Sequence, residues 1–360
     1  MRNLIVGADE GGQRLDKYLK RKLPLASSSF IYKMLRKKNI TLRGKKADGS
    51  DKVEEGDSVA LFLSEETIAK FSGSSDDNKI RQREEEESRA FRTLSPLLGP
   101  SPVLYEDENI LLVCKPAGVL SQKADPSDCS VNEWLREYLR RKGFQPVSGF
   151  RPSVCNRLDR NTGGILFCAR SLRGSRVLSA LIRERLIRKT YRMVVHGRIT
   201  EPGVIDTELI KDRRHNQVFT ADRQGEDKSR YSTHAPAHSP DESRRRAVTV
   251  YRPVFIGSRT TLVEADLITG RSHQLRVHMA SAGHPIVGDP RYGDRKRDAL
   301  LWSLIHEDGR SAGRQGQLLW CVETEFPPAE TFPGMEEILL PLSGRVFSCP
   351  EPSWWKKLCI

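Results

Sequence analysis

Long hydrophobic runs are absent from this sequence. The longest apolar stretches, such as residues 110–113, contain only a few residues, whereas a helix that spans a bilayer needs about 20. We also expect no signal peptide, because the acidic pair Asp9 and Glu10 follows the first apolar residues before a hydrophobic region can form. We therefore expect no membrane association and a cytoplasmic location.

Cysteine is scarce and dispersed. None of the seven cysteines stands in a Cys-x-x-Cys pair, so the sequence has neither a disulfide framework nor the ligand spacing of a zinc ribbon. We expect reduced thiols and no metal centre. The cysteines are Cys114, Cys129, Cys155, Cys168, Cys321, Cys349 and Cys359.

Charge is unevenly distributed along the chain, whose 360 residues suffice for two or three domains. There are 60 basic and 47 acidic side chains, a net charge of +13. Residues 1–63 have 14 basic and 8 acidic side chains, residues 64–100 have 6 and 8, and residues 101–360 have 40 and 31. The pattern predicts two basic domains joined by a polar linker at 64–100. Such a basic surface is either solvated or contacts nucleic acid, and composition leaves both open.

The first 63 residues combine two short helical patterns with alternating strands. Residues 15–23 are amphipathic, and the serines at 27–29 can cap a second helix. This order, over residues 13–63, resembles the S4 RNA-binding domain, and the resemblance implies that the second helix and the turn after it grip structured RNA. A basic cap that docks on the larger domain is the alternative. The candidate RNA-binding residues are Lys33, Arg36, Lys37, Arg43, Lys45 and Lys46.

The segment after the linker begins with a strand, a turn and a second strand over residues 103–113. Ser130 and Glu133 have the spacing of a capping box, which predicts a helix with Trp134 and Leu135 on its buried side. The next motif, at 156–167, reads NRLDRNTGGILF. An extended backbone there would place Arg157 and Asp159 on one face. The absence of a Gly-Lys-Ser/Thr sequence makes a phosphate-binding loop improbable.

The tripeptide Arg-Leu-Asp alone is a weak signal, because it also occurs at residues 14–16. Two further blocks add specificity: a strand pattern at 189–197 that places Tyr191 on one face, and the segment 267–293, which contains GRSHQLRVHM. The three blocks, in this order after an S4-like module, resemble the RluA family of pseudouridine synthases, especially its S4-bearing large-subunit ribosomal RNA members. The chain departs from the usual family residues at Asn156, Gly163 and Ser272.

The resemblance implies an α+β catalytic domain at 101–360, built on a mixed, largely antiparallel sheet. It also implies that Asp159 is the catalytic carboxylate, which could attack the sugar, attack uracil C6 or remove a sugar proton. A carboxylate can add to carbon or take a proton and depart again without a cofactor, so none is expected. Arg271, just before a helix that Ser272 can cap, is our candidate for holding Asp159 ionised. Tyr191 offers a flat face to the uracil and a phenol that can relay its C5 proton.

A uridine in folded RNA must leave its stack before it can react. Arg157 is the candidate for filling the vacated place, with a phosphate contact as the alternative. His273 and His278 lack the spacing of a zinc pair and are interpreted as polar helix residues. Trp354 and Trp355 are interpreted as packing residues, and the polar segment 225–246 as a loop insertion.

The sequence therefore predicts an RNA pseudouridine synthase whose partner is ribosomal RNA of the 23S type and which acts as a monomer. Two other classes stay open. One is a ribosome-associated RNA-binding protein that keeps the fold without activity, although a binder has no need of Asp159, Tyr191 and Arg271 together. The other is a nucleotide or sugar-phosphate hydrolase, which the lack of a second catalytic carboxylate or metal cluster disfavours.

Overall fold

A computed structural model describes residues 1–7, 10–72, 77–145, 150–212, 217–221, 244–305 and 316–359. The N-terminal unit packs two helices on a small antiparallel sheet of order β1-β6-β3-β4. Ser27 begins the second helix, because its side chain accepts a hydrogen bond from the backbone N–H of Phe30. The elements are β1 (Arg2–Ile5), β2 (Gln13–Arg14), α1 (Leu15–Lys22), α2 (Ser28–Arg36), β3 (Ile40–Leu42), β4 (Lys45–Lys46), β5 (Lys52–Val53) and β6 (Ser58–Leu61).

The segment predicted as a polar linker contains two helices, α3 (Glu65–Ser72) and α4 (Asp77–Leu98). The C-terminal half of α4 buries Ala90, Leu94 and Leu98, which are spaced four residues apart. The sequence interpretation missed this face because it is confined to the last turns of an otherwise charged helix. Helix α4 packs against α5 (Val131–Arg141) and so belongs structurally to the larger unit.

The larger unit is built on one long, mostly antiparallel sheet of order β13-β12-β14-β15-β11-β16-β10-β8-β7, with β17 paired to β16 and β9 to β10. Among the described strand pairs only β10 and β16 run parallel. The α+β prediction with a largely antiparallel sheet is confirmed. The strands are β7 (Val103–Glu106), β8 (Ile110–Lys115), β9 (Ser153–Val154), β10 (Gly163–Ala169), β11 (Arg188–His196), β12 (Gly203–Asp212), β13 (Gln217–Thr220), β14 (Arg245–Ile256), β15 (Thr260–Leu267), β16 (Leu319–Glu325) and β17 (Val346–Ser348).

Successive side chains of the sheet point to opposite faces and pack into two separate hydrophobic cores. On one face, Ile165 and Phe167 of β10 pack under helix α6 (Leu172–Arg183). On the other face, Leu166 of β10 and Tyr191 of β11 pack under α4, α5 and α7 (Gln274–Ser281). The remaining helices, α8 (Arg295–Ile305) and α9 (Glu336–Leu339), lie with the first core. The two faces of the sheet therefore present two chemically independent surfaces.

The C-terminal residues complete the first core. Trp355 is 2% exposed, and Trp354 packs beside it with ring centroids 6.3 Å apart, as expected for packing residues. Cys114 at the end of β8 and Cys349 after β17 lie side by side, with Cα atoms 5.9 Å apart. The sequence does not reveal this proximity, because the two positions are separated by 235 in the sequence. Most of the segment interpreted as an insertion, residues 225–243, lies outside the described residues.

Candidate active site

Asp159 lies in the loop between β9 and β10, where neighbouring segments hold the backbone in place. The hydroxyl of Ser121 donates to Leu158 O at 3.0 Å and accepts from Leu158 N at 3.1 Å. The backbone N–H of Thr162 donates to Asp159 O at 3.0 Å, which closes a turn. The Asp159 side chain is 35% exposed. A fixed loop thus presents a carboxylate to solvent without leaving it mobile.

Two of the departures from the family pattern have a structural explanation in this loop. The amide oxygen of Asn156 accepts from Phe167 N at 2.7 Å, and its amide nitrogen donates to Ile165 O at 3.4 Å, so Asn156 ties the loop to β10. At Gly163, a Cβ would lie 2.0 Å from the ring of Trp320. Glycine is therefore required at 163 for as long as the neighbouring strand carries this tryptophan.

The guanidinium that pairs with Asp159 belongs to Arg276, and the assignment of that role to Arg271 was wrong. Arg276 Nη1 donates to Asp159 Oδ2 at 2.7 Å. Arg271 instead donates from Nε to Arg246 O at 3.3 Å. Burial and the positive charges of Arg185 and Arg245 lower the pKa of Arg271, which is the environment of a guanidinium without a carboxylate partner.

The start of α7 explains the difference between the two arginines. Ser272 is exposed and does not cap the helix, which begins one residue later, after His273 in a left-handed conformation (φ 54°). The side chain of Gln274 folds back, and its oxygen accepts from Arg271 N at 3.1 Å. This shift turns Arg271 away from the loop. It places Arg276, in the first turn of the helix, toward Asp159.

Arg276 is anchored from behind by a second carboxylate, Asp289, which is 2% exposed. Arg276 Nε donates to Asp289 Oδ2 at 2.7 Å and Nη2 donates to Oδ1 at 2.8 Å. Burial opposes ionisation of Asp289, but these bonds and the backbone N–H groups of Arg291 and Tyr292 hold its pKa below the ordinary value. The result is a rigid chain of charges in which one guanidinium bridges a buried and a half-exposed carboxylate.

His273 forms the other wall beside the carboxylate. Its Nε2 lies 3.8 Å from Asp159 Oδ2. Burial lowers the pKa of His273, and the charge of Arg276 adds to the effect, although the charge of Asp159 opposes it. Its Nδ1 is 2.9 Å from the Tyr292 hydroxyl, which also accepts from Val218 N. The Tyr292 hydroxyl can donate its proton to Nδ1 of His273, so the contact favours a neutral imidazole with the proton on Nε2.

Tyr191 lies on the floor of the site, in β11, and shares the second core with Leu158. Its side chain is nearly buried, at 8% exposure. Burial raises the pKa of the phenol well above its ordinary value, and Cys321, its partner across the strand pair, and the charge of Asp159 add to the effect. The phenol is therefore neutral at physiological pH. The structure brings Tyr191 and Asp159 to one site, as the sequence interpretation expected.

Lys115 is a charged residue of the site that the sequence interpretation missed. It is fully buried at the end of β8, and its ammonium donates to Pro116 O at 3.0 Å, Val119 O at 2.8 Å and Arg160 O at 3.2 Å. Burial lowers the pKa of Lys115 to about 7, while the charge of Asp159 opposes the shift. The bond to Arg160 ties the turn after β8 to the loop that carries Asp159. The sequence signal was a lysine before the Pro-Ala-Gly turn.

The predicted RNA contacts are all on the surface. Arg157, two residues before Asp159, is exposed, although the segment around it is not a strand. The six candidates of the N-terminal unit are exposed along α2 and the β3–β4 turn. Arg43 is already engaged by Asp57, with Nε donating to Oδ1 at 2.5 Å and Nη2 to Oδ2 at 2.7 Å. An RNA phosphate must therefore compete with Asp57 for Arg43.

Other expected features can be placed as well. His278 lies fully buried in α7, with Nδ1 2.9 Å from Thr249 Oγ1, and burial lowers its pKa to about 4. Across the described part of the chain, no group of three or more His, Cys, Asp or Glu side chains could hold a metal ion. Of the helices that the structure describes, none combines the length and apolar character needed to cross a bilayer.

Comparison with known proteins gives the class to which this fold and site belong. The sequence profile of the RNA pseudouridylate synthase family matches residues 109–281, and the profile of the S4 domain matches residues 13–59. The matched segments include the Asp159 loop, β11 and α7 in one unit and α1 to β5 in the other.

The relatives extend this match over most of the chain. The ribosomal large subunit pseudouridine synthase C of Rickettsia bellii is 32% identical, over 79% of this chain and 83% of the relative. The protein of the same name from Salmonella typhi is 31% identical, over 82% of this chain and 81% of the relative. The chain therefore belongs to the RNA pseudouridylate synthase family, whose members are isomerases, and the predicted family and S4 module are confirmed.

A solved structure supports the fold. Human RNA pseudouridylate synthase domain containing 4 aligns with a TM-score of 0.53 and 21% identity, over 76% of this chain and 95% of that structure. The similarity bears on the arrangement of the sheet and its helices. The roles of single residues rest on the geometry described above.

Proposed function

We propose that this chain converts uridine to pseudouridine in large-subunit ribosomal RNA, with Asp159 as the carboxylate that carries the reaction. The observation behind the proposal is the half-exposed carboxylate of Asp159, fixed at 2.7 Å by a buried guanidinium that Asp289 anchors in turn. A protein that only bound RNA would have no need of a carboxylate at this surface, since the RNA backbone is anionic. The names of the relatives support a large-subunit ribosomal RNA substrate.

The reaction needs few chemical groups, and this chain provides them. The bond from C1′ to uracil N1 breaks, a bond from C1′ to C5 forms, C5 loses its proton and N1 gains one. Asp159 is placed to add to carbon or to accept a proton during this exchange. Tyr191 gives the detached base a flat wall and a neutral phenol. No step consumes an external reactant, which agrees with a cofactor-free enzyme.

Substrate binding follows from the charges outside the cleft. Arg157 is exposed beside Asp159 and is proposed to occupy the place that the extruded uridine leaves in the RNA stack. The basic face of α2 and the β3–β4 turn is proposed to hold the surrounding RNA. Asp159, Tyr191, Arg276 and Asp289 come from one chain, which supports action as a monomer. A ribosomal substrate supports a cytoplasmic location.

The substitution Asp159→Asn tests the proposal. Asparagine is nearly isosteric but cannot add to carbon or accept a proton as a carboxylate does, so pseudouridine formation should fall by more than about 10³-fold. RNA affinity should stay equal or rise slightly, because a negative charge leaves the RNA surface. Pseudouridine is mapped in ribosomal RNA fragments, and affinity is measured on the same fragments.

The chain contains a matched control. Asp16 stands in the same Arg-Leu-Asp tripeptide, where its Oδ2 accepts from Tyr32 and Arg14 at 2.9 Å each. Asp16→Asn should keep turnover within about threefold. An affinity loss beyond tenfold in Asp159→Asn, about 1.4 kcal/mol, would contradict the binding part, and turnover at a few per cent of wild type would contradict the catalytic part. An inactive wild type that still bound RNA would favour the binding protein instead.

A further inference from the structure

A basic groove lies between the two units, on the side of the sheet away from Asp159. It encloses about 600 Å³ between α1 of the N-terminal unit and α6 of the larger unit. None of the described lining residues is acidic, and five of the nine are basic. They are Gln13, Lys17, Lys20, Arg21, Leu172, Ser175, Arg176, Ser179 and Arg183.

The groove is separate from the active site. Its wall α6 packs with Val177 and Leu178 on the first core, whereas Leu158 and Tyr191 belong to the second. Consecutive side chains of β10 point to opposite faces of the sheet, so the whole sheet lies between the groove and Asp159. Whatever fills the groove is therefore not the nucleotide that reacts.

The charges in the groove are poorly compensated. Arg176 Nη1 donates to Gly11 O, but its buried Nη2 has no hydrogen-bond partner. Burial lowers the pKa of Arg176, and burial together with the charge of Arg176 lowers that of Arg21. Arg176 is partly buried and Arg21 is exposed, and two guanidinium groups that repel each other are stabilised by an anion between them.

An unsatisfied acceptor lines the same groove. Gln13 is 7% exposed, its amide nitrogen donates to Glu10 O at 2.6 Å, and its buried Oε1 has no partner. A ligand that offers both anionic oxygens and a hydroxyl donor would satisfy Arg176 and Gln13 together. Phosphate oxygens and the 2′-hydroxyl of a ribonucleotide backbone have this combination.

We propose that the groove between α1 and α6 binds the sugar-phosphate backbone of the substrate RNA at a site remote from the target uridine. This inference rests on the proposed function, because it takes RNA as the substrate. RNA held here bridges both units, so it fixes the S4 domain relative to the catalytic domain while the target uridine occupies the opposite face. The site should matter for long, folded RNA and not for a short hairpin that reaches only the cleft.

The double variant Lys17→Gln/Arg21→Gln tests the groove, because both side chains are exposed on α1 and their loss leaves the core intact. On a long ribosomal RNA fragment, each lost phosphate contact should reduce the slope of log affinity against log salt by about 0.9. We expect a total reduction of about 1 to 2. The control Lys356→Gln/Lys357→Gln removes the same charge from exposed lysines at the C-terminus and should leave the slope unchanged. Equal slopes for the two double variants would overturn the proposal.

A second measurement uses contact instead of affinity. A photocrosslinking amino acid in place of Ser179, an exposed residue of α6 in the groove, should crosslink to RNA, and the crosslink should disappear when combined with Lys17→Gln/Arg21→Gln. The proposal would be contradicted if no crosslink to RNA formed. It would also be contradicted if the groove bound an acidic polypeptide in place of RNA. Turnover of a short hairpin should stay at the wild-type value. If wild type forms no pseudouridine at all, the proposed function fails, while the salt slope and crosslink still decide the groove.

Discussion

Arg276→Lys distinguishes the charge chain seen in the structure from the one that the sequence suggested. Lysine keeps the charge but has no planar fork, so it cannot bridge Asp159 and Asp289 as the guanidinium does through bonds of 2.7, 2.7 and 2.8 Å. Because Asp289 is 2% exposed, breaking its pair should lower the free energy of unfolding by about 3–5 kcal/mol. Loss of the charge-assisted bond to Asp159, worth about 1.5–3 kcal/mol, should lower kcat by about 10- to 150-fold.

Urea denaturation measures the stability, and tritium released from RNA labelled at uracil C5 measures turnover. The control is Arg271→Lys, which should change stability by less than about 0.5 kcal/mol and kcat by less than about threefold, since Arg271 contacts only a backbone carbonyl in this region. Asp289 does not touch Asp159 but holds Arg276. Asp289→Asn should therefore also lower kcat, as Arg276→Lys does, with KM for RNA nearly unchanged. Comparable losses of kcat in Arg271→Lys and Arg276→Lys would refute the reasoning.

Two further predictions concern the framework of the site. Gly163→Ser should lower the free energy of unfolding by more than about 3 kcal/mol, because its Cβ would overlap the Trp320 ring. This loss of stability should be smaller in a Trp320→Leu background. Additive losses in a double-mutant cycle measured by urea denaturation would contradict the clash. The pKa of Lys115 is lowered from 10.5 to about 7 in the folded state. Between pH 7 and pH 10.5 the folded protein therefore binds fewer protons at Lys115 than the unfolded chain does, so the contribution of Lys115 makes stability rise with pH in this range. Lys115→Met should remove that rise, and an equal change in stability between pH 7 and pH 9 in both proteins, measured by urea denaturation, would contradict the lowered pKa of Lys115.

Much of the fold could be predicted from local patterns. The strand at Tyr191 follows from alternation, and the helix after Ser27 from a capping serine, which act over a few neighbouring positions. The helix after Ser130 follows from helical spacing alone, and the predicted capping box was wrong, because the Ser130 hydroxyl donates to Glu133 Oε2 at 2.6 Å and caps no backbone N–H. Helix α4 escaped the same reasoning, because its apolar face is confined to the last turns of an otherwise charged helix. The irregular segment around Arg157 likewise did not follow the extended pattern expected of it.

The prediction that Asp159 is the key carboxylate, and the expectation that it lies near Tyr191, came from three short motifs in the right order. The partner of that carboxylate did not, because Arg271 and Arg276 stand in the same motif and the structure separates them by starting the helix after the left-handed residue His273. Arg276 and Asp159 are 117 residues apart, so no local pattern records their contact. The proximity of Cys114 to Cys349 and the groove between α1 and α6 likewise join distant parts of the sequence. Local sequence sets which elements form, whereas the packing of distant elements sets which charges meet.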